Sequence, residues 1–178
     1  MKRELEQTMI DAKKRGFTLI ELVVTLAVAG ILLGIAIPNF QLFVMNNRMA
    51  SQANDLITAL NMARSEAVKR AANVMVCSGT VCPGAVSWTQ GWIVADAAGN
   101  PIRVQQALGG SSTLTPGADV TNTITFTSDG RTTIPTAATA ASTTLTLCPP
   151  APAPTGVKGR AIQIERTGRT RVSPVACP

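Results

Sequence analysis

Glu21 is the one charged residue in an otherwise apolar stretch, residues 17–37, with the sequence FTLIELVVTLAVAGILLGIAI. A run of about 20 such residues spans the hydrocarbon core of a bilayer as a helix. A carboxylate inside it costs roughly 3 kcal/mol unless it is paired, so Glu21 is by default a functional group in want of a cation. A second set of groups lies near the C-terminus, where Lys158, Arg160, Arg166, Arg169 and Arg171 face Glu165 alone. Guanidiniums gathered on one edge suit phosphate oxygens, and the plainer reading is a solvated edge strand guarded by charge. A third set is the four cysteines, Cys77, Cys82, Cys148 and Cys177. Catalysis is set aside, because the chain contains no His. The commonest general base and metal ligand is therefore missing. A Ser-His-Asp set is impossible, and neither a P-loop nor a paired-carboxylate site is present. No enzyme activity, cofactor or metal site is expected.

The elements that position these groups follow from pattern. Lys13, Lys14 and Arg15 precede the apolar run. By the positive-inside rule they stay cytoplasmic and the remainder lies on the far side of the membrane. An ordinary secretory signal fits poorly, since the run is too long and no A-x-A cleavage site follows it. Residues 39–73 continue as a different kind of helix. Leu42, Met45, Met49, Ala53, Leu56, Leu60, Ala63 and Ala67 recur at steps of three or four and form one apolar stripe. Between the two halves, Gly30 and Gly34 weaken the helix, and Pro38 removes a backbone hydrogen bond and favours a kink.

After Asn73 the pattern becomes short and β-like. Candidate strands cover residues 74–77, 91–95, 102–105, 124–127, 143–147, 161–165 and 169–172, with turns at 96–100, 115–119, 128–130 and 167–168. Residues 132–142 are rich in Thr and Ala and residues 149–156 in Pro, and both are expected to be surface loops. Aromatics are few, so Trp88, Trp92 and Phe126 are expected to anchor a modest core. The fold class is α+β, a long N-terminal helix packed on a small antiparallel sheet.

The segment RGFTLIEL resembles the class III leader of type IV pilins and type II secretion pseudopilins. The resemblance implies a type IV pilin-like fold, with a leader at 1–16, a membrane or filament-core helix at 17–38, an amphipathic helix at 39–73 and a β-rich head at 74–178. It implies that a prepilin peptidase cuts between Gly16 and Phe17 and methylates the new amine of Phe17. It also implies that Glu21, the fifth mature residue, is needed for assembly. The physics is consistent with this. In a filament the Glu21 carboxylate of one subunit can pair with the Phe17 amine of its neighbour, and pairing offsets the cost of burying either charge alone.

Further along, ALNMARSEAVKRAANVMVC, WTQGWIVADAAGNPIRV, ITFTSDGR and IQIERTGRTRV are similar to the GspH/FimT family of minor pilins and pseudopilins, in a FimT-like or FimU-like form. GRTR resembles the Gly-Arg-x-Arg motif of FimT-type pilins. The Thr/Ala-rich insert and PPAPAPTG depart from the family pattern. The resemblance implies a single-pass inner-membrane protein with its head in the periplasm, which later enters a pilus or pseudopilus and reaches the cell surface. The implied partners are other minor and major pilins or pseudopilins, the prepilin peptidase, inner-membrane lipid and double-stranded DNA. The implied role is that of a structural, tip or assembly-priming minor pilin, with DNA held for uptake. The alternative is a GspH-like minor pseudopilin of type II secretion without DNA binding.

In a strand, Arg169 and Arg171 share one face at i and i+2 and are the expected main DNA contacts, with Arg166, Arg160 and Lys158 nearby as helpers. No aromatic lies between Lys158 and Pro178. Contact would therefore be to the backbone and indifferent to sequence.

Four cysteines in an exported domain imply two disulfides. Pairing Cys77 with Cys82 closes the tight loop VCSGTVC, and pairing Cys148 with Cys177 staples the C-terminal tail. Chain-entropy estimates for these are about 2 and about 3.5 kcal/mol. Two other connectivities remain open, and zinc on C-x4-C…C is the rival reading.

Overall fold

The computed structural model describes residues 16–134, 141–153 and 155–177. Lys13, Lys14 and Arg15, and residues 135–140 of the Thr/Ala-rich loop, lie outside the described residues. The chain divides into two compact units, Met1–Phe40 and Gln41–Pro178. One helix, α1 (Leu19–Arg70), contributes to both.

Within the first unit, Thr18 starts the helix. Its hydroxyl accepts the Glu21 N–H at 3.2 Å and its carbonyl accepts the Leu22 N–H at 3.1 Å. A threonine cap satisfies amides that the first turn leaves unpaired. The large apolar side chains that follow are exposed, from Leu19 at 80% to Ile37 at 54%. The helix runs on through Gly30, Gly34 and Pro38 and ends at Arg70 rather than at residue 73. Pro38 lies inside the helix, where it deletes one intrahelical bond.

In the second unit α1 turns amphipathic. Met49, Gln52, Ala53, Leu56, Ala59, Leu60, Ala63 and Ala67 are buried. Four alanines on this face let the helix approach the sheets closely. The helix closes with Ala71 in the left-handed region, φ 48°, and the Ala72 N–H donates to the Ala67 carbonyl.

The β region is two antiparallel four-stranded sheets rather than one small sheet. The strands are β1 (Val74–Ser78), β2 (Trp92–Asp96), β3 (Pro101–Gln105), β4 (Thr113–Pro116), β5 (Thr123–Phe126), β6 (Ser142–Cys148), β7 (Gly159–Glu165) and β8 (Thr170–Val175). One sheet has the order β3-β2-β1-β5 and the other β4-β6-β7-β8. β4 falls where a turn was expected. Its sequence TLTP is short and ends in Pro116, opposite Leu145, which is tolerable only at a sheet edge. β6 and β7 alternate cleanly, burying Leu145 and Leu147 on one strand and Ile162 and Ile164 on the other. They join Leu56, Leu60, Trp88, Trp92 and Phe126 in a single core.

Candidate functional site

The first candidate is the start of α1. Phe17 is 80% exposed, and an 18-residue window of the helix has a mean hydropathy of 2.6 with none of it buried. Such a surface needs lipid or neighbouring apolar helices around it. Glu21 lies in the first turn, where the helix dipole favours a negative charge. Thr18 and Glu21 stand in the T-x-x-E spacing of a capping box. That local signal was legible in the sequence and places Glu21 in the helix independently of any neighbour.

The second candidate is the hairpin that carries the C-terminal arginines. The Gly168 N–H donates to the Glu165 carbonyl at 2.8 Å, and the Glu165 N–H donates to the Arg169 carbonyl at 2.9 Å. Gly168 has φ 79°. A three-residue connection with a left-handed glycine lets the strands pair without splaying. The loop is residues 166–168, Arg169 closes it opposite Glu165, and β8 proper begins at Thr170.

Register decides which basic groups meet. Ile162 and Ile164 face the core, and Thr170, opposite Ile164, bonds to Asn61 of α1. Gln163, Arg171 opposite it, and Arg169 occupy the outer face. Arg171 Nε lies 3.3 Å from Glu165 Oε1. The expected helpers are split between two ends of the strand. Arg160 is at the start of β7 with the parity of Ile162, and its guanidinium donates to the Lys158 and Gly159 carbonyls at 3.2 Å each. Six residues of strand at about 3.4 Å each put it ~20 Å from Arg166. The Lys158 N–H donates to Asn46 of α1 at that same far end. Arg160 and Lys158 thus do not join Arg166, Arg169 and Arg171, because a strand separates residues that a sequence window groups.

The hairpin acquires two other arginines that pattern did not single out. The turn at Asp129–Gly130–Arg131 lies against the turn at Thr167–Gly168–Arg169. A Cβ on Gly168 would sit 2.1 Å from the Gly130 carbonyl oxygen and 3.1 Å from Arg64 Nε, and one on Gly130 would sit 3.3 Å from the same nitrogen. The Thr132 N–H donates to the Arg166 carbonyl at 3.0 Å. Arg64 of α1 therefore packs over two touching glycine turns, and each glycine is followed by an arginine. The repeated Gly-Arg was visible in the sequence, but its juxtaposition was not.

Three carboxylates are held below their ordinary range by hydrogen bonds. Arg70 lowers Glu66, Asn100 lowers Asp96, and the Thr127 hydroxyl followed by the Arg131 N–H lowers Asp129. The cysteines are bonded as Cys77–Cys82 and Cys148–Cys177. The first packs with Met75, Ile93 and Ala95 on the side of the first sheet away from the main core. Among the described residues no three His, Cys, Asp or Glu side chains group as a metal site.

Comparison with known proteins follows this geometry. The family model described as Type II transport protein GspH matches residues 52–168, and that of the prokaryotic N-terminal methylation motif matches residues 11–37. The chain is similar to the crystal structure of the type IV minor pilin FimU of Pseudomonas aeruginosa, with 24% identity and a TM-score of 0.56, covering 74% of this chain and 92% of that one. It is also similar to the minor pseudopilin EpsH from the type 2 secretion system of Vibrio cholerae, with 14% identity and a TM-score of 0.52, covering 71% and 97%. Likeness at those identities establishes the fold. No curated protein sequence matches significantly.

Proposed function

The chain belongs to the GspH family, the minor pilins and pseudopilins of type IV pili and type II secretion, and from that membership we propose that it is a minor pilin of a type IV pilus. The carrying observation is Glu21, a lone carboxylate in the first turn of an exposed apolar helix. Cleavage between Gly16 and Phe17 puts an amine four residues before that carboxylate. The Phe17 amine of one subunit then pairs with Glu21 of the next inside an apolar bundle, where an unpaired charge is costly. The pair favours one stagger over others. Glu21→Val tests this. The variant should insert and be processed as the parent is, yet be depleted from sheared filaments. Parent-like incorporation of Glu21→Val would refute the pairing.

The second part of the proposal is that the hairpin holds DNA by its backbone. Arg169 and Arg171 on one outer face support it, and the Glu165 contact to Arg171 moderates it. Lys158 and Arg160 stand at the far end of β7 and are not part of this face. With about three phosphates neutralised, log affinity of the full chain in detergent micelles falls with log salt at a slope near −2.7. Replacing Arg169 and Arg171 together by Ala flattens that slope by about two units. The competing role is a type II secretion pseudopilin, whose head would show no such binding. A surrounding operon of pilus-assembly genes rather than secretion genes separates the two.

A further inference from the structure

The arginines nearest the hairpin come from three elements. Arg64 comes from α1, Arg131 from the turn after β5, and Arg166, Arg169 and Arg171 from the β7–β8 hairpin. The close approach of Gly130 to Gly168 and the bond from Thr132 to Arg166 bring the two turns together. The carboxylates facing them are Asp129 and Glu165. Glu165 is engaged by Arg171, and Asp129 accepts from the Thr127 hydroxyl and the Arg131 N–H. Glu66, two residues along α1 from Arg64, is taken by Lys69 and Arg70. Among the described residues, the guanidiniums of Arg64, Arg131 and Arg169 form no hydrogen bond or close ion pair, although the charge of Arg131 acts on the neighbouring Asp129. Arg131 and Arg169 are exposed, whereas Arg64 is half-buried with its stem over both glycines.

Unpaired guanidiniums drawn from separate sheets are not the pattern of a guarded strand edge, which needs charge only along the edge itself. Their backbones meet where the two glycine turns touch, and planar forks of this kind suit phosphate oxygens. The large aromatics Trp88, Trp92 and Phe126 are all buried, so base stacking has no platform there. We propose that the anion-binding site of the head is this apex of two glycine turns rather than the length of β8, that its ligand is a phosphodiester backbone, and that Arg131 is a contact residue in it. The ligand rests on the DNA reading above, and the site rests on the packing of the two turns.

The test is equilibrium binding of the full chain in detergent micelles to a short duplex DNA over a salt series. Arg131→Gln should flatten the slope of log affinity against log salt by about 0.9, as loss of one phosphate contact requires. Arg169→Gln should do the same, and Arg160→Gln should change nothing. Arg131→Lys should keep the slope and bind more weakly, since the charge remains and the fork is lost. Unchanged unfolding midpoints show that the variants are folded, as substitution at an exposed side chain allows. If Arg131→Gln leaves the slope alone while Arg169→Gln with Arg171→Gln flattens it, the apex is wrong and the DNA reading stands. If Arg160→Gln flattens the slope as much as Arg131→Gln, the site spans the strand and the apex is again wrong. If the parent binds no DNA at low salt, both fall.

Discussion

Replacing Gly168 by Ala isolates the contact between the two turns. Gly168 has φ +79°, and an added Cβ would lie 2.1 Å from the carbonyl oxygen of Gly130. The left-handed backbone alone costs about 1–2 kcal/mol, reduced by about 0.4–1 through the stiffer unfolded chain. The clash is with backbone, which cannot swing aside as a long side chain does, so the turns must part at a further cost of about 1–3 kcal/mol. The total is about 2–4 kcal/mol. The unit Gln41–Pro178 unfolds with an entropy of about 0.3 kcal/mol/K, from ~2.1 cal/mol/K per residue. The midpoint should therefore fall by about 10 °C. Gly156 provides the control, with φ +98° and nothing within 4 Å. Gly156→Ala carries backbone strain alone and should lower the midpoint by about 3 °C. Gly109→Ala, with neither strain nor neighbours, should be neutral or slightly stabilising. Trp88 and Trp92 are both buried in the head, so their fluorescence in the micelle-bound full chain reports the transition. A drop for Gly168→Ala no larger than that for Gly156→Ala would mean that the turns do not pack as described.

Gly16→Val places a branched side chain at the processing position and should leave an uncleaved membrane precursor, checked by mass spectrometry of the mature N-terminus. Removing Cys148–Cys177 by a double Ser substitution should cost about 3.5 kcal/mol, or about 12 °C in the same fluorescence assay. Glu66, Asp96 and Asp129 have folded pKa values below their ordinary ones. They therefore add stability above the unfolded carboxylate range, and lose it as pH falls through the folded values. The unfolding midpoint should decline between about pH 5 and the folded pKa values, and Asp129→Asn should make that decline shallower.

The sequence carried the period-2 strands well, because β6 and β7 each bury one face and expose the other. It carried the helix stripe from Met49 to Ala67 for the same reason at period 3.6. It failed at β4, where four residues ending in Pro116 have too little pattern to outweigh their turn-like composition. It misjudged the sheet-scale geometry of the basic tail. Arg160 and Arg166 are close in the chain, yet a strand extends them to opposite ends. Arg64 and Arg131 escaped notice because their relation to the hairpin is purely tertiary. Glu21 stands out in the sequence as the one charge in an apolar helix, and Thr18 three residues before it caps the first turn.

The bond between Cys148 and Cys177 joins the end of β6 to the segment just after β8, across 29 positions. β7 and β8 thus lie inside a covalent ring. β8 is an open edge of its sheet, the kind of element that copies of a protein trade at low cost. Inside a closed ring it has no free end to hand over, so domain swapping through β8 requires reduction first. In an oxidising compartment the head is committed to remaining a separate body. In a reducing one the same chain could form interlocked dimers that become permanent on later oxidation.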